Sequence, residues 1–362
     1  MNRLNTFWYQ LQAEKTKFRI TWSLGVGASL VFFILTWSIK ETFVDSVRAQ
    51  IPLKPFTFFF FILISAEILL TIFTTLEITF FKSFQRRVSY NKVLLTKAVT
   101  SGSIILLTVS VSMFIYGQTH GLAKTDSVSA LFKSPITWGL FVYWVSIADV
   151  NFLMLMVHNQ TGLTIFSQYS KGRYYKPFEE ERVFLFIDLI GSTPIAEKIG
   201  NRKYFELLND VYYDISFPIG FYGAEIYQYV GDEVVMSWNI NEGIDQNKCV
   251  RLFKAIQRIV DKNSVKYQGK FGVIPQFKGA LHAGNVTTGE VGYYKTAILH
   301  SGDVVNTAAR LEKLAGELHH NLIISEKLLN RLDKNELKLK PLGEHMLTGK
   351  EEKVNLFAVD LK

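Results

Sequence analysis

Four long apolar runs dominate the first half of the chain: Ile20–Ile39, Phe56–Phe81, Ala98–Gly117 and Ile136–Val157. Each holds 20 or more residues, enough to cross a hydrocarbon core of roughly 30 Å as a helix. This pattern predicts a transmembrane domain over residues 1–157, with helices at about 20–39, 56–81, 98–117 and 136–157. The second half has shorter periods. Val183–Asp188 reads as a buried strand, and Ile190–Lys198 and Arg202–Ile215 carry helical spacing. Ala224–Val230, a Gly-Asp turn and Val234–Trp238 read as a hairpin. Asp245–Tyr267 is amphipathic, Phe277–His282 and Val286–Val291 read as a further strand pair, Val304–Leu314 as a helix and Val354–Val359 as a last strand. The opening order matches an α+β, ferredoxin-like sheet with helices on one face. Residues 158–182 join the halves as a coupling segment. The fourth run is expected to continue as a helix through Gln160 to Lys171, and Glu179, Glu180 and Glu181 to form a solvated face.

Charge sharpens this division. Residues 1–182 hold 18 Lys+Arg against 10 Asp+Glu, a surplus of 8, whereas residues 183–362 hold 22 against 22. The basic excess lies in the apolar half, so a nucleic-acid partner is not expected. Thirteen of the basic residues in the first half flank the runs on one side and five on the other. The bias puts both termini in the cytoplasm, in a multi-pass protein of the cell inner membrane with the lipid bilayer as a partner. The single cysteine, Cys249, excludes an intramolecular disulfide framework and a multi-cysteine metal site. Glu67, Glu77 and Asp149 lie within the apolar runs, with no Lys or Arg in those runs to pair with them. They mark a candidate intramembrane sensor site for an unknown ligand, or hydrogen bonds between helices. A small transporter or channel with a regulatory tail is a competing reading of the same acids.

The candidate chemistry lies in the second half. Asp188 ends a strand and precedes Leu-Ile-Gly-Ser-Thr. A carboxylate beside a glycine turn into a helix suits a metal-bound polyphosphate, with the amides of Ile190, Gly191, Ser192 and Thr193 facing phosphate oxygens. Asp232 stands at a hairpin tip 44 residues later. In a ferredoxin-like sheet the two acids could converge on divalent ions. Taken alone, Asp232 could equally be a turn residue, and Arg310 a surface partner of Glu312 or Glu317.

The segments FLFIDLIGST, EIYQYVGDEVVMSW and HSGDVVNTAARLE occur in this order, and together they resemble the catalytic domain of class III nucleotide cyclases over about residues 180–360. The GDE at 231–233 lacks the second glycine of the diguanylate cyclase signature, because Val230 stands there. The resemblance implies conversion of a nucleoside triphosphate into a 3′,5′-cyclic monophosphate and pyrophosphate, with two Mg²⁺ or Mn²⁺ ions per site. It implies metal binding by Asp188 and Asp232, and ribose orientation and transition-state stabilisation by Asn306 and Arg310. It also implies a terminal-phosphate contact from Lys350, and a homodimer whose two sites each draw on both chains. Family adenylate cyclases usually carry Lys and Asp or Thr where this chain has Gln228 and Leu299. Guanylate cyclases typically carry Glu and a small residue there. A Gln side chain can meet either purine. The missing Glu favours ATP, with a guanylate or relaxed-specificity cyclase, or a nucleotide-binding membrane receptor without catalysis, as the alternatives.

Overall fold

The structure, a computed structural model, describes residues 15–38, 55–81, 88–119, 141–152, 154, 174, 176–293, 296–349 and 353–360. The chain divides into two compact units, Met1–Thr161 and Gly162–Lys362. The start of the fourth apolar run, the expected Gln160–Lys171 helix and Lys350 lie outside the described residues.

The first unit is helical where it is described: α1 Lys15–Ser38, α2 Pro55–Leu76, α3 Tyr90–Thr119 and α4 at 141–152. Among the described residues no helix is long and apolar enough to cross a membrane. The transmembrane bundle therefore rests on the sequence pattern. Helix α2 runs into a π-helical turn, Glu77–Phe81. Thr21 and Thr74 join α1 to α2 through their hydroxyls at 2.8 Å, and the Tyr143 hydroxyl donates to the Ala28 carbonyl at 2.6 Å. One sequence expectation is corrected. Helix α3 begins at Tyr90, eight residues before its apolar run, and so includes Lys97, whose ammonium pairs with Glu77 at 2.5 Å.

The second unit is built on one sheet in the order β2-β3-β1-β4-β6-β8-β7, with β5 on β4. The strands are β1 Phe178–Leu189, β2 Glu225–Val230, β3 Glu233–Asn239, β4 Phe277–Val291, β5 Ala297–Ser301, β6 Leu322–Ser325, β7 Leu339–Met346 and β8 Lys353–Val359. The first four pair antiparallel in the order β2-β3-β1-β4, the ferredoxin-like arrangement expected. The helices of this unit are α5 Ser192–Ile199, α6 Asn201–Phe221, α7 Ile240–Ile244, α8 Lys248–Lys262, α9 Ser264–Phe271, α10 Asp303–Glu317 and α11 Glu326–Leu329.

The near-continuous apolar run of β1 follows from cover on both faces. Val183, Leu185, Ile187 and Leu189 pack with Leu207, Val211 and Ile215 of α6 and Val250, Phe253 and Ile256 of α8. Phe184 and Phe186 point the other way, against Val235, Val286, Val304 and Ala308. Helices on one face were expected; α10 instead lies on the opposite face, because Val304, Ala308, Leu311 and Ala315 form a stripe at helical spacing. The Asp245–Tyr267 pattern divides at Asn263 into α8 and α9.

The predicted strand pair at 277–291 is one strand. Gly284, between the two predicted strands, pairs with Arg182 inside the ladder, and its missing side chain makes room for Val304 and Lys327. The strand that pairs with the outer end of β4 is β5, which the sequence pattern missed. Strand β1 also begins before residue 183, so the acidic run lies in the sheet. Glu180 binds Arg182 and Thr288, and Glu181 pairs with Arg331.

Gly279 shows how tightly β4 packs: a Cβ there would lie 2.6 Å from the Phe186 carbonyl oxygen and 3.0 Å from Phe253. Gly279→Ala is expected to cost about 1–3 kcal/mol. Gly269→Ala, in α9 with nothing within 4 Å, is expected to be neutral or to stabilise by about 0.5–1 kcal/mol. Urea unfolding of the full chain measures both; equal effects would contradict the packing at Gly279.

Candidate active site

Asp188 stands one residue beyond the Ile187↔Val234 pair, and Asp232 two residues before Val234. Antiparallel pairing of β1 with β3 therefore brings the two carboxylates together, close enough for the charge of Asp232 to raise the Asp188 pKa. The turn that carries Asp232 needs Gly231, whose φ of 63° is a left-handed value that L side chains rarely adopt. The Tyr212 hydroxyl donates to the Gly231 carbonyl at 3.0 Å and ties the turn to α6.

The acids share their surroundings with a lysine that the sequence reading missed. Lys278 is the register partner of Asp188 on β4. Its ammonium lies 2.9 Å from Asp188 Oδ2 and also pairs with the buried Glu312 of α10. A lysine in an otherwise apolar strand segment, FKGAL, was the available signal. Burial raises the Asp188 pKa, Lys278 pulls it down, and Asp232 pushes it up again. Burial, together with Glu312 and Asp188, lifts Glu233 to about 7. Tyr204 is raised to about 12, first by burial and then by Asp232.

Among the described residues no group of three or more His, Cys, Asp or Glu side chains is placed to hold a metal ion. The donor set is a carboxylate pair. Two crowded, half-buried acids of like charge fit a divalent cation that takes hard oxygen ligands, with its remaining positions left for a ligand or water.

The glycine turn is only partly available to phosphate. The Ile190 amide donates to the Gln276 carbonyl at 2.8 Å, which corrects its expected role. Gly191 has φ 69° and precedes α5, where Ser192 and Thr193 open the helix and Pro194 offers no N–H. Asn306 is exposed and Arg310 half-buried on α10. Arg310 is two residues from Glu312, hence about 200° around the helix. Glu312 faces Lys278, so it is not the partner of Arg310. The Arg310 guanidinium lies against Gly349, where a Cβ would sit 3.4 Å from Nη2. The structure thus joins Asp188 with Asp232, and directs Arg310 away from the side of α10 that meets them.

Gln228 and Leu299 are both exposed. Their chain neighbours are bonded to each other: the His300 amide donates to the Tyr227 hydroxyl at 3.3 Å. Burial and then Arg182 push the His300 imidazole down to about 3.

In the first unit, Glu77 and Asp149 line one cavity of about 40 Å³ with Lys97 and Asn151. Glu67 lies elsewhere, in the space left by the missing side chain of Gly25. The three acids therefore do not gather at one place.

Comparison with known proteins bears on the family of the second unit. Residues 174–360 match the family described as adenylate and guanylate cyclase catalytic domain. The chain is 34% identical over 240 residues to adenylate cyclase 2 of Rhizobium meliloti (strain 1021), covering 66% of this chain and 65% of that protein. It is 28% identical over 182 residues to the adenylate cyclase of Anabaena cylindrica, covering 48% of this chain and 36% of that one. The chain thus spans less than two thirds of either relative. A solved bacterial light-regulated adenylyl cyclase shares the fold, with a TM-score of 0.51 and 18% identity, covering 63% of this chain and 66% of that one.

His300 sets a pH dependence. The unfolded imidazole takes its proton near pH 6.5 and the folded one only near pH 3. Between those values the unfolded state binds more protons, so stability falls as pH falls, by up to about 1.4 kcal/mol per pH unit. In urea titrations of full-length protein from pH 7 to pH 4 without divalent ions, His300→Phe is expected to flatten that slope. The same slope in both proteins would show that His300 is not held neutral.

Proposed function

The chain belongs to the adenylate and guanylate cyclase catalytic domain family, and from that premise we propose that it is a membrane-anchored adenylate cyclase acting as a homodimer. The observation that carries this reading is the convergence of Asp188 and Asp232 beside Lys278. The substrate is ATP and the products are 3′,5′-cyclic AMP and pyrophosphate.

Asp188 and Asp232 would hold Mg²⁺ or Mn²⁺, two ions per site. When bound, the ions supply activation of the ribose 3′-oxygen and stabilisation of the leaving oxygen. Lys278, 2.9 Å from Asp188, opposes the upward push of burial and of Asp232 on that carboxyl and so favours its ligating, ionised form. The free amides at Gly191, Ser192 and Thr193 face the polyphosphate at the start of α5. Asn306 orients the ribose, and Arg310 offers a permanently charged planar fork to phosphate oxygens as charge develops. Lys350, one residue beyond the Gly349 that packs on Arg310, contributes to the terminal phosphates. Asn306 and Arg310 stand away from the Glu312 side of α10, which supports the reading that they serve the acids of a second copy. Gln228 and Leu299 meet the purine, Leu299 by shape alone. The Gln228 amide supports relaxed specificity as a second reading, since it can donate or accept.

The four apolar runs support insertion in the cell inner membrane with both termini cytoplasmic. The buried Glu77–Lys97 pair and the Asp149 wall of the same cavity support a role for the first unit beyond anchoring, as a sensor of an unidentified ligand.

Full-length protein given ATP or GTP with Mg²⁺ or Mn²⁺ is expected to form cyclic AMP from ATP in preference; turnover of GTP alone would defeat the adenylate assignment. Asp188→Ala and Arg310→Ala are each expected to lose at least a hundredfold in kcat. Co-expressed, they are expected to recover about a quarter of wild-type activity, since half the dimers then carry one intact site of two. No recovery would argue against sites shared between chains. The anchoring is checked separately. The protein is expected to stay with membranes through alkaline carbonate and to be released only by detergent, and release by carbonate would contradict the spans.

A further inference from the structure

Purine selectivity has a support built behind it. In β2 the register against β3 shifts between Ile226 and Gln228, which pair with Met236 and Val235 respectively. Tyr227 is therefore the extra residue of a β-bulge. Met236 faces the core under α6 and α8, whereas Val235 faces the side covered by α10. In a regular strand Gln228 would point to the same side as Ile226. The bulge turns it toward the Val235 side, as bulges beside functional sites do.

The bulged Tyr227 is held by β5. Its hydroxyl accepts from the His300 amide, and the two rings are in contact at a tilt of 40° with centroids 4.8 Å apart. His300 Nδ1 lies 2.8 Å from the Thr288 hydroxyl, which in turn lies 2.7 Å from Glu180 Oε1. Glu180 pairs with Arg182 at 3.1 Å, and Arg182 also binds Glu225 and Ser237. One hydroxyl carries one proton. Thr288 donates it to the Glu180 carboxylate, so His300 must donate from Nδ1 to Thr288. The chain has one direction, from an imidazole N–H through a hydroxyl to a carboxylate that an arginine keeps charged. Thr288 and Arg182 are buried, as is His300, so each bond is costly to leave unmade.

We propose that Tyr227, His300 and Thr288 are positioning residues for the purine, fixing Gln228 and Leu299 at a set separation and thereby setting the choice between adenine and guanine. Tyr227 precedes Gln228 and His300 follows Leu299, so their mutual bond joins the two base-facing positions through the backbone. Glu180 and Arg182 tie the pair to the start of β1. None of the three touches substrate. The inference rests on the assignment of Gln228 and Leu299 to the base.

The test uses full-length Tyr227→Phe, Thr288→Val and Thr288→Ser. Tyr227→Phe removes only the hydroxyl, and Thr288→Val keeps shape without it. Each is expected to raise the KM for ATP about three- to tenfold, as loss of one buried hydrogen bond does, and to lower the ATP-over-GTP ratio of kcat/KM by a similar factor. kcat is expected to stay within about twofold, since the acids and Arg310 are untouched. Thr288→Ser, which restores the hydroxyl, is expected to restore selectivity. Unchanged KM and selectivity in both Tyr227→Phe and Thr288→Val would overturn the inference. Equal loss in Thr288→Ser and Thr288→Val would also do so, because the effect would then follow the methyl group and packing. Calorimetric binding of unreactive methylene analogues of ATP and GTP separates this from the broader reading. Failure of the wild type to turn over either nucleotide counts against the cyclase assignment, while the binding ratio of wild type to variant still decides the positioning role. Wild type that binds neither analogue overturns both.

Discussion

Two carboxylates held against each other at the end of a buried strand cannot both keep their charge without a cation beside them. That constraint organises the catalytic unit. Asp188 sits where β1 leaves the core, and Asp232 at the tip of the neighbouring hairpin. The energy that holds them together is not their own. It comes from the apolar ladder of Val183, Leu185 and Ile187, whose register leaves the acids no other place. Lys278 answers the repulsion from the opposite strand, and Glu312 anchors the lysine from the helix above. Four strands and helices thus converge on one electrostatic problem, and the residual negative charge is what a divalent cation with a polyphosphate would complete.

A second theme is that single backbone departures aim the side chains. Gly231 closes the hairpin with a left-handed residue, and the bulge at Tyr227 rotates Gln228 from the core side to the α10 side. Both lie in one hairpin of two strands, so the position proposed to ligate metal and the position proposed to meet the base are set by the same hairpin. The Tyr227 hydroxyl and ring are held through His300, and the polar chain behind them ends at Arg182 in the middle of the sheet.

Most of the second unit could be read from its pattern. VFLFID is apolar without alternation because both faces are covered, and α8 shows its buried positions at helical spacing. The three motif segments placed Asp188, Asp232, Asn306 and Arg310 correctly on a strand end, a turn and one helix. What escaped depends on contacts distant in sequence. Gly284 reads as a break unless one sees Val304 above it. Lys278 reads as an ordinary strand lysine until the ladder sets it opposite Asp188. The Ile190 amide opens a glycine turn of the kind that receives phosphate, but it donates to the distant Gln276 carbonyl. A run of three acids is usually solvated, yet alternation in a strand turns Glu180, the middle one, inward to Thr288. Lys97 lay just outside an apolar run, and hydropathy alone cannot see that its helix starts eight residues earlier.

Helix α10 carries the argument for a second copy. Its inner stripe, Val304, Ala308, Leu311 and Ala315, is spent on the sheet, and Glu312 on the edge of that stripe is spent on Lys278. Asn306 and Arg310 occupy the remaining face, four residues apart and therefore side by side. A helix presents one set of residues to a given neighbour. Turning Arg310 toward its own Asp188 would expose Val304 and Leu311 and strip Glu312 of its partner, a buried-charge loss of about 3–5 kcal/mol before the lost packing is counted. Under the proposed cyclase reading, the stripe of α10 that packs on the sheet and the face that carries Asn306 and Arg310 point in different directions. The same rigidity that fixes the acids thus makes a symmetric pair the simplest assembly in which each helix meets the partner subunit's acids.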